Sequence, residues 1–486
     1  MTMSDMTAEK EWTKATVDFS TMDEDTAKMH ILEARPPLKL AYPVALQHLL
    51  AMYASNLVPI TIIAGIAGAT THQLIIMLQG AMMGAGIATL INLYPIRFGN
   101  FQIGANLPIV MGTSMTFVPP MTAVALAAVE MGHPNPIGVV IGGLIVAALV
   151  EVLLGAVYKY VRLFLKPVVL GCVLLSLGIS LLTIGVNNFG GGSPATNPNF
   201  GSPQNMFVAS SVFILYMLLQ RFGRGIWKLA SVLIAMVFGY AIAVALGMVN
   251  FAPIAEAAVF RIPQPMYLRP EFHMWAIVMF LAVYVVSGLA TIGYTHTITT
   301  QSMGRMSTNK ETSGALYADA LGSIITLLFN GLPNTEFGQN SALVAYTKAI
   351  SKWIVALTAF TLIAASLFPP IGAVFATVPP AVLGGSILAV FAFIMTNAIA
   401  LIAKDGFTPT KITQLCITFG IGLGFAPPNN AALIQHFPGL LHFIFSDRVL
   451  LMSVVAILVN IFFMTKEDFA EVRRTAMAKT DEIEYV

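Results

Sequence analysis

Apolar stretches long enough to cross a bilayer follow one another from residue 38 to residue 465 of this 486-residue chain. A helical span needs about 20 such residues. In hydrocarbon the backbone must satisfy its own hydrogen bonds, so the expected fold class is an all-α polytopic membrane protein. Composition agrees: 10% of the residues are charged and 57% are hydrophobic, with a mean hydropathy of +0.80, whereas a soluble domain carries about 25% charge. The net charge of +2 gives no reason to expect a nucleic-acid partner.

Fourteen candidate spans emerge: 38–64, 71–94, 103–129, 135–158, 163–186, 206–221, 227–247, 272–299, 314–330, 337–350, 351–377, 380–403, 411–425 and 447–465. The stretch 426–446, with three prolines and two adjacent asparagines, is a candidate to dip in without crossing. Residues 1–37 are polar and lack the apolar core of a cleavable signal, and read as a cytoplasmic tail. With the N-terminus inside, the even-numbered loops hold thirteen Lys and Arg, among them Lys159, Arg162, Arg305 and Lys352. The odd-numbered loops hold three, Arg261, Arg269 and Arg448. The positive-inside rule therefore places both tails in the cytoplasm.

One stretch breaks the pattern. Residues 329–348 (FNGLPNTEFGQNSALVAYTK) set Pro333, Asn334, Thr335, Glu336, Gln339, Asn340 and Ser341 within nine positions. Lipid offers such groups no partners, so the stretch is either a water-exposed loop or a broken helix lining a protein-enclosed cavity, and we favour the second. It has a counterpart in the interrupted third span, where Leu107-Pro108 and Gly112-Thr113-Ser114 resemble Leu332-Pro333 and Gly338-Gln339-Asn340. Pro167 to Gly171 (PVVLG) likewise recurs as Pro380 to Gly384 (PAVLG). Near-equal offsets of almost half the chain suggest two seven-span repeats, the second inverted. Paired broken segments point to a mid-membrane binding site. The helix that follows each break would start inside the membrane with free N–H groups and a positive dipole end.

These residues also resemble a known family, the nucleobase–ascorbate transporters (nucleobase:cation symporter 2), which include the xanthine and uracil permeases. The likeness covers roughly 38–465. The family signature reads here as Gln339, Asn340, Ser341, Ala342, Thr347 and Lys348, with Ala342 in place of the usual Gly. Gln47-His48, Met111 to Phe117 (MGTSMTF), Pro167 to Gly171, Ala318-Asp319 and Phe329-Asn330 match further motifs in family order. The Gln-Asn pair is closer to the purine members than to the uracil ones. One departure stands out: the eighth span carries Ala290 and Tyr294 where the family usually has titratable residues, leaving a face of Ser287, Thr291, Thr295, His296 and Thr297.

The resemblance implies a core domain of spans 1–4 and 8–11 (38–162 and 272–377) and a gate domain of spans 5–7 and 12–14 (163–250 and 378–465), with tails at 1–37 and 466–486. It implies short antiparallel β-strands in broken spans 3 and 10. It also implies elevator-type transport of a purine base such as xanthine or urate, coupled to protons or to sodium, often as a homodimer. A uracil or other nucleobase permease, or an anion transporter or channel of the same inverted plan, is the alternative. The chain has no nucleotide-binding loop, no HExxH and no Ser/His/Asp grouping, so no enzyme and no cofactor or metal site is expected. Cys172 and Cys416 lie singly in apolar runs and read as small hydrophobes.

The substrate-binding set follows. Gln339 leads it, because a planar amide offers a donor beside an acceptor, matching the N–H and C=O edge of a purine. Gly338, Asn340, Thr113, Ser114 and Met115 complete it, although Asn340 could equally orient Gln339, and small residues also serve close helix packing. Phe117 reads as packing. Coupling or structural polar roles fall to Asp319, Glu336, His48, Thr291 and His296. An intramembrane carboxylate such as Asp319 is costly and therefore a functional hypothesis. Glu336 either takes over the missing titrating role or caps the tenth helix while partly solvated. Glu151, near the inner end of the fourth span, is expected to snorkel or pair with Lys159.

Overall fold

A computed structural model describes residues 22–99, 101–161, 167–192, 197–224, 227, 231–403, 406–426, 431–437, 441, 444–445 and 448–465. The outer parts of both predicted tails, and much of the stretch 426–446, lie outside the described residues. The described chain is mostly helical, with two short pairs of strands. Six helices are each long and apolar enough to cross a membrane, and a bent pair makes a seventh candidate.

In chain order, α1 (Leu38–Ile66) and α2 (Thr71–Leu93) lead into an antiparallel hairpin of β1 (Ile96–Phe98) and β2 (Phe101–Ile103). β3 (Met111–Thr113) precedes α3 (Val118–Glu130), and α4 (Pro136–Ala147) runs into α5 (Leu149–Val161). Then come α6 (Pro167–Phe189), α7 (Pro203–Phe222), α8 (Ser231–Ala245), α9 (Met274–Met303) and α10 (Asn309–Leu328). β4 (Asn334–Glu336) precedes α11 (Gly338–Thr347), followed by α12 (Lys352–Ser366), α13 (Pro369–Ala376), α14 (Pro380–Ala403), α15 (Pro409–Gly422) and α16 (Arg448–Phe462).

Three boundaries differ from expectation. The third candidate span begins as extended chain rather than helix at residue 103, and its helix starts only at Val118, once Pro119 and Pro120 can sit in the first turn. Residues 351–377 do not form one straight span, because α12 and α13 meet at a bend of 82°. The cause is Pro369-Pro370, which cannot continue a helix but can start one. The hairpin at 96–103 was not anticipated.

Two bodies of packing follow from small residues. α2 is held between α10 and α12: Gly84 faces Thr326, Ala88 faces Gly322, and Gly86 faces Ala359 and Ile363. α6 and α14 pack antiparallel along their length. Gly171 abuts Ala398 and Ile402, Gly178 abuts Met395, Gly185 abuts Leu388, and Gly384 abuts Asn188 and Phe189. The two glycines of the repeated PxVLG motif therefore each receive the C-terminal part of the other helix, where a Cβ would collide. Close approach at small residues is what joins helices in lipid, where apolar burial alone drives nothing.

Candidate functional site

β3 and β4 pair antiparallel in mid-chain isolation, with Met111 opposite Glu336, Gly112 opposite Thr335, and Thr113 opposite Asn334. Two further bonds extend the ladder, from Ser114 N–H to the Pro333 carbonyl (2.8 Å) and from Phe337 N–H to the Val110 carbonyl (2.9 Å). A pair of strands has edges, and buried edges must be satisfied. Here side chains do so. Asn56 Oδ1 of α1 accepts from Thr113 N–H (2.7 Å), and Thr89 Oγ1 of α2 accepts from Met111 N–H (2.9 Å). Ser323 Oγ of α10 accepts from Asn334 N–H and donates to its carbonyl, both at 3.0 Å. Asn330, in the left-handed region at φ 68°, turns the chain before β4. Its amide holds Leu268 N–H (2.8 Å) and the Gln264 carbonyl (2.7 Å).

Each strand runs into a helix that starts within the protein. Thr70, Asn135, Ser202, Thr308 and Thr408 cap helices elsewhere with their side chains, whereas α1, α9, α12 and α13 start without one. Neither α3 nor α11 has one. The positive ends of two half-helices thus converge on the strand pair without a protein acceptor from a cap.

Gln339 lies in the first turn of α11, half-buried, and Ser55 Oγ of α1 donates to its Oε1 at 3.4 Å. Gly338 sits under the ring of Tyr294, where a Cβ would meet Cε1 at 2.5 Å. Asn340 turns away: its Nδ2 donates to the His48 carbonyl (2.9 Å) and lies 3.1 Å from His48 Nδ1, tying α11 to α1. His48 is fully buried in that tie. Thr113 and Ser114 are buried on and just after β3, and Met115 opens the turn before α3. Phe117 is fully buried edge-to-face against Tyr284, with ring centroids 4.6 Å apart, a packing contact.

The eighth-span face divides. Ser287, Thr291 and Thr295, four residues apart, all point at β4. Thr291 Oγ1 donates to Asp319 Oδ2. Thr335 Oγ1 donates to the same oxygen at 3.3 Å, with Ser287 (3.4 Å) and Thr291 (3.2 Å) beside Thr335. Thr295 Oγ1 donates to Glu336 Oε1 at 3.0 Å. His296 instead faces Ser307 at 3.0 Å, away from the strands. Glu336 is 1% exposed, so it is a strand residue aimed inward and not a solvated cap.

Glu151 is the residue that sequence reasoning misplaced. It does not snorkel: it is fully buried on α5, beside Ser287 and in electrostatic reach of Asp319, with neither carboxyl oxygen at hydrogen-bond distance from a described partner. Gly288 of α9 leaves room for it, since a Cβ there would lie 3.6 Å from Glu151 Cγ. The available signal was the periodicity of α5, which turns Glu151 towards α9 and α10. Asp319 Oδ1, Glu336 Oε2, Thr113 Oγ1, Ser114 Oγ and Asn340 Oδ1 also lack partners among the described residues. Buried polar atoms are nearly always paired, so this group of spare acceptors and hydroxyls makes the region the candidate site.

A bundle of apolar helices enclosing a buried strand pair, with a helix starting after each strand, is the architecture of a multi-pass membrane transporter. The chain belongs to the Permease family, whose Xan_ur_permease model matches residues 40–429. It is 30% identical to the uric acid permease PucJ of Bacillus subtilis (strain 168), covering 88% of this chain and 93% of that one. It is 28% identical to the xanthine permease XanP of Escherichia coli (strain K12), over 90% and 95%. Its fold is similar to the transmembrane domain of a cyanobacterium bicarbonate transporter, BicA (TM-score 0.54, 13% identity, 87% of this chain and 97% of that one).

Proposed function

We propose that this permease carries a purine base, of the xanthine and uric acid type, across the membrane with protons. The observation that carries the reading is the placement of Gln339. Its amide stands at the uncapped start of α11, beside Ser55, while its neighbour Asn340 is committed to His48. A base docked there presents N–H and C=O to one planar amide. Its oxygens face the N–H groups of the half-helix ends, and Tyr294 flanks it. Similarity to permeases named for uric acid and xanthine supports the same substrate class.

Coupling is assigned to Asp319 and Glu336, with Glu151 behind them and the Ser287, Thr291, Thr295 and Thr335 hydroxyls between. These carboxylates stand in for the titratable residues replaced by Ala290 and Tyr294. In this reading the chain makes fourteen spans as two inverted halves. Spans 1–4 and 8–11 form a core that moves as an elevator against a gate of spans 5–7 and 12–14, in a homodimer with both tails cytoplasmic.

The test is uptake of radiolabelled xanthine, uric acid, uracil and sulfate into cells expressing the chain. Xanthine or uric acid uptake is expected, competed by the other purine and not by sulfate. Gln339→Ala should abolish it, with the protein still in the membrane. Sulfate uptake, or undiminished purine uptake by that variant, would overturn the reading.

A further inference from the structure

Away from the strand pair, three metal-ligating side chains come together at the end of the molecule that carries Arg261 and His72. We propose that His133, Glu271 and His273 bind a divalent transition metal, with zinc the best fit. The inference is independent of the substrate reading.

Spacing is the first argument. His133 Nε2 lies 3.4 Å from Glu271 Oε2, and His273 Nε2 lies 3.8 Å from the same oxygen. A ligand atom from each residue lies within 4.8 Å of the other two. Hydrogen bonds would draw N and O to about 2.7–3.2 Å. A tetrahedral zinc with ligands at about 2.0–2.1 Å holds its donors roughly 3.3 Å apart. Both observed separations are longer than the first range; the shorter matches the second, and side-chain rotations that bring His273 inward complete the site.

Donor chemistry is the second. Two imidazoles and one carboxylate form a zinc donor set that leaves a fourth position for water. The side chains are 21% (His133), 34% (Glu271) and 36% (His273) exposed, so that position is open. Magnesium and calcium favour all-oxygen ligands and would not compete.

Preorganisation is the third. Glu271 N–H donates to the Gly138 carbonyl (2.8 Å), and Asn135 Nδ2 donates to the Arg269 carbonyl (3.0 Å). Asn135 Oδ1 also caps α4 by accepting from Gly138 N–H at 3.0 Å. Gly142 packs directly on the Glu271 backbone. The ligand-bearing segments are thus pinned to each other before any ion arrives. Asn135 N–H lies 3.4 Å from His133 Nδ1, a long contact that places the imidazole proton on Nε2. For Nε2 to bind metal, the neutral ring's one proton moves from Nε2 to Nδ1 by exchange through water, which replaces the contact from Asn135 N–H. An ion held here joins the α3–α4 turn to the start of α9, the helix that carries Thr291, Tyr294 and Thr295.

The experiment uses the purified, tag-free full chain, stripped with a chelator. Calorimetric titration with zinc chloride should give one ion per chain, with magnesium and calcium chloride silent. Zinc should raise the melting temperature as its concentration rises. His133→Ala and His273→Ala should each weaken binding by at least about tenfold. His72→Ala, at the same end of the molecule, should bind as the parent does. Absence of zinc binding by the parent, or unchanged affinity in the His133→Ala/His273→Ala double variant, would overturn the proposal.

Discussion

Gly112 shows how little room the strand pair leaves. A Cβ there would lie 2.6 Å from the Phe337 ring, 2.8 Å from Met52 Cε and 2.9 Å from Asn56 Oδ1, the atom that holds Thr113. Gly112→Ala should therefore destabilise by about 1–3 kcal/mol, the usual cost of overpacking. Gly293 is the control: nothing lies within 4 Å of its Cβ direction. Gly293→Ala in the interior of α9 should be neutral, or stabilise by up to about 1 kcal/mol. Melting curves of the two variants in detergent separate the outcomes. Glu151 invites a different test. It is a fully buried intramembrane carboxylate without a basic partner among the described residues, the environment in which such groups serve ion traffic. Glu151→Gln keeps the shape and removes the charge. If Glu151 belongs to the coupling group, the variant keeps its fold and loses the rise of uptake towards acid external pH. Glu336→Gln should lose it too. An unchanged pH profile in both variants would leave Asp319 as the sole candidate.

The broken spans work because neighbouring helices supply what a sheet would. Asn56, Thr89 and Ser323, from three different helices, each satisfy a backbone N–H of β3 or β4. Removing one leaves a buried donor unpaired, at a cost of about 1–3 kcal/mol. Asn56→Ala should lower the melting temperature accordingly and cripple uptake, because the pair it steadies carries the start of both half-helices. Much of this arrangement was legible in the chain. Pro108 and Pro333, each ahead of a polar run, announced the two breaks, since lipid leaves such a run of polar groups without partners; Pro43 and Pro59, in apolar surroundings, leave α1 unbroken. The repeated PxVLG announced α6 and α14. What was not legible depends on contacts between distant segments. That Asn340 answers to His48, 292 positions away, is a matter of how α1 crosses α11. Glu151 looked like a snorkelling residue because hydropathy sees only its neighbours in sequence, not Gly288 opposite it. The bend at 367–368 was visible as Pro369-Pro370, but an unbroken apolar run outweighed it.

The two ends of the molecule differ in charge, and that difference bears on orientation. At one end the segment before α1 meets the loops after α2, α9 and α11. Lys352 pairs with Glu33 and reaches Asn106 Oδ1 at 2.9 Å, Lys348 donates to the Gln301 carbonyl, and Arg305 grips Glu311 through NH1 at 2.8 Å. At the other end, Arg261 meets His72 at 2.8 Å, and the histidine cluster at 133 and 273 adjoins Arg269. The first end brings together Arg305, Lys348 and Lys352, three of the thirteen Lys and Arg that the sequence assigns to even-numbered loops, from segments that are apart in the chain. A bias carried by one loop could be accidental, whereas several loops converging on one end act together during insertion. That end is expected to be cytoplasmic. A fluorescent protein fused after Val486 should then fold and fluoresce, and alkaline phosphatase fused there should be inactive. A protease site inserted at 198–201, in the loop between α6 and α7, should be cut from outside intact cells. The reverse pattern would invert the molecule in the membrane and place the His133 cluster inside, where the cytoplasm holds zinc scarce and the proposed metal would have little chance to bind.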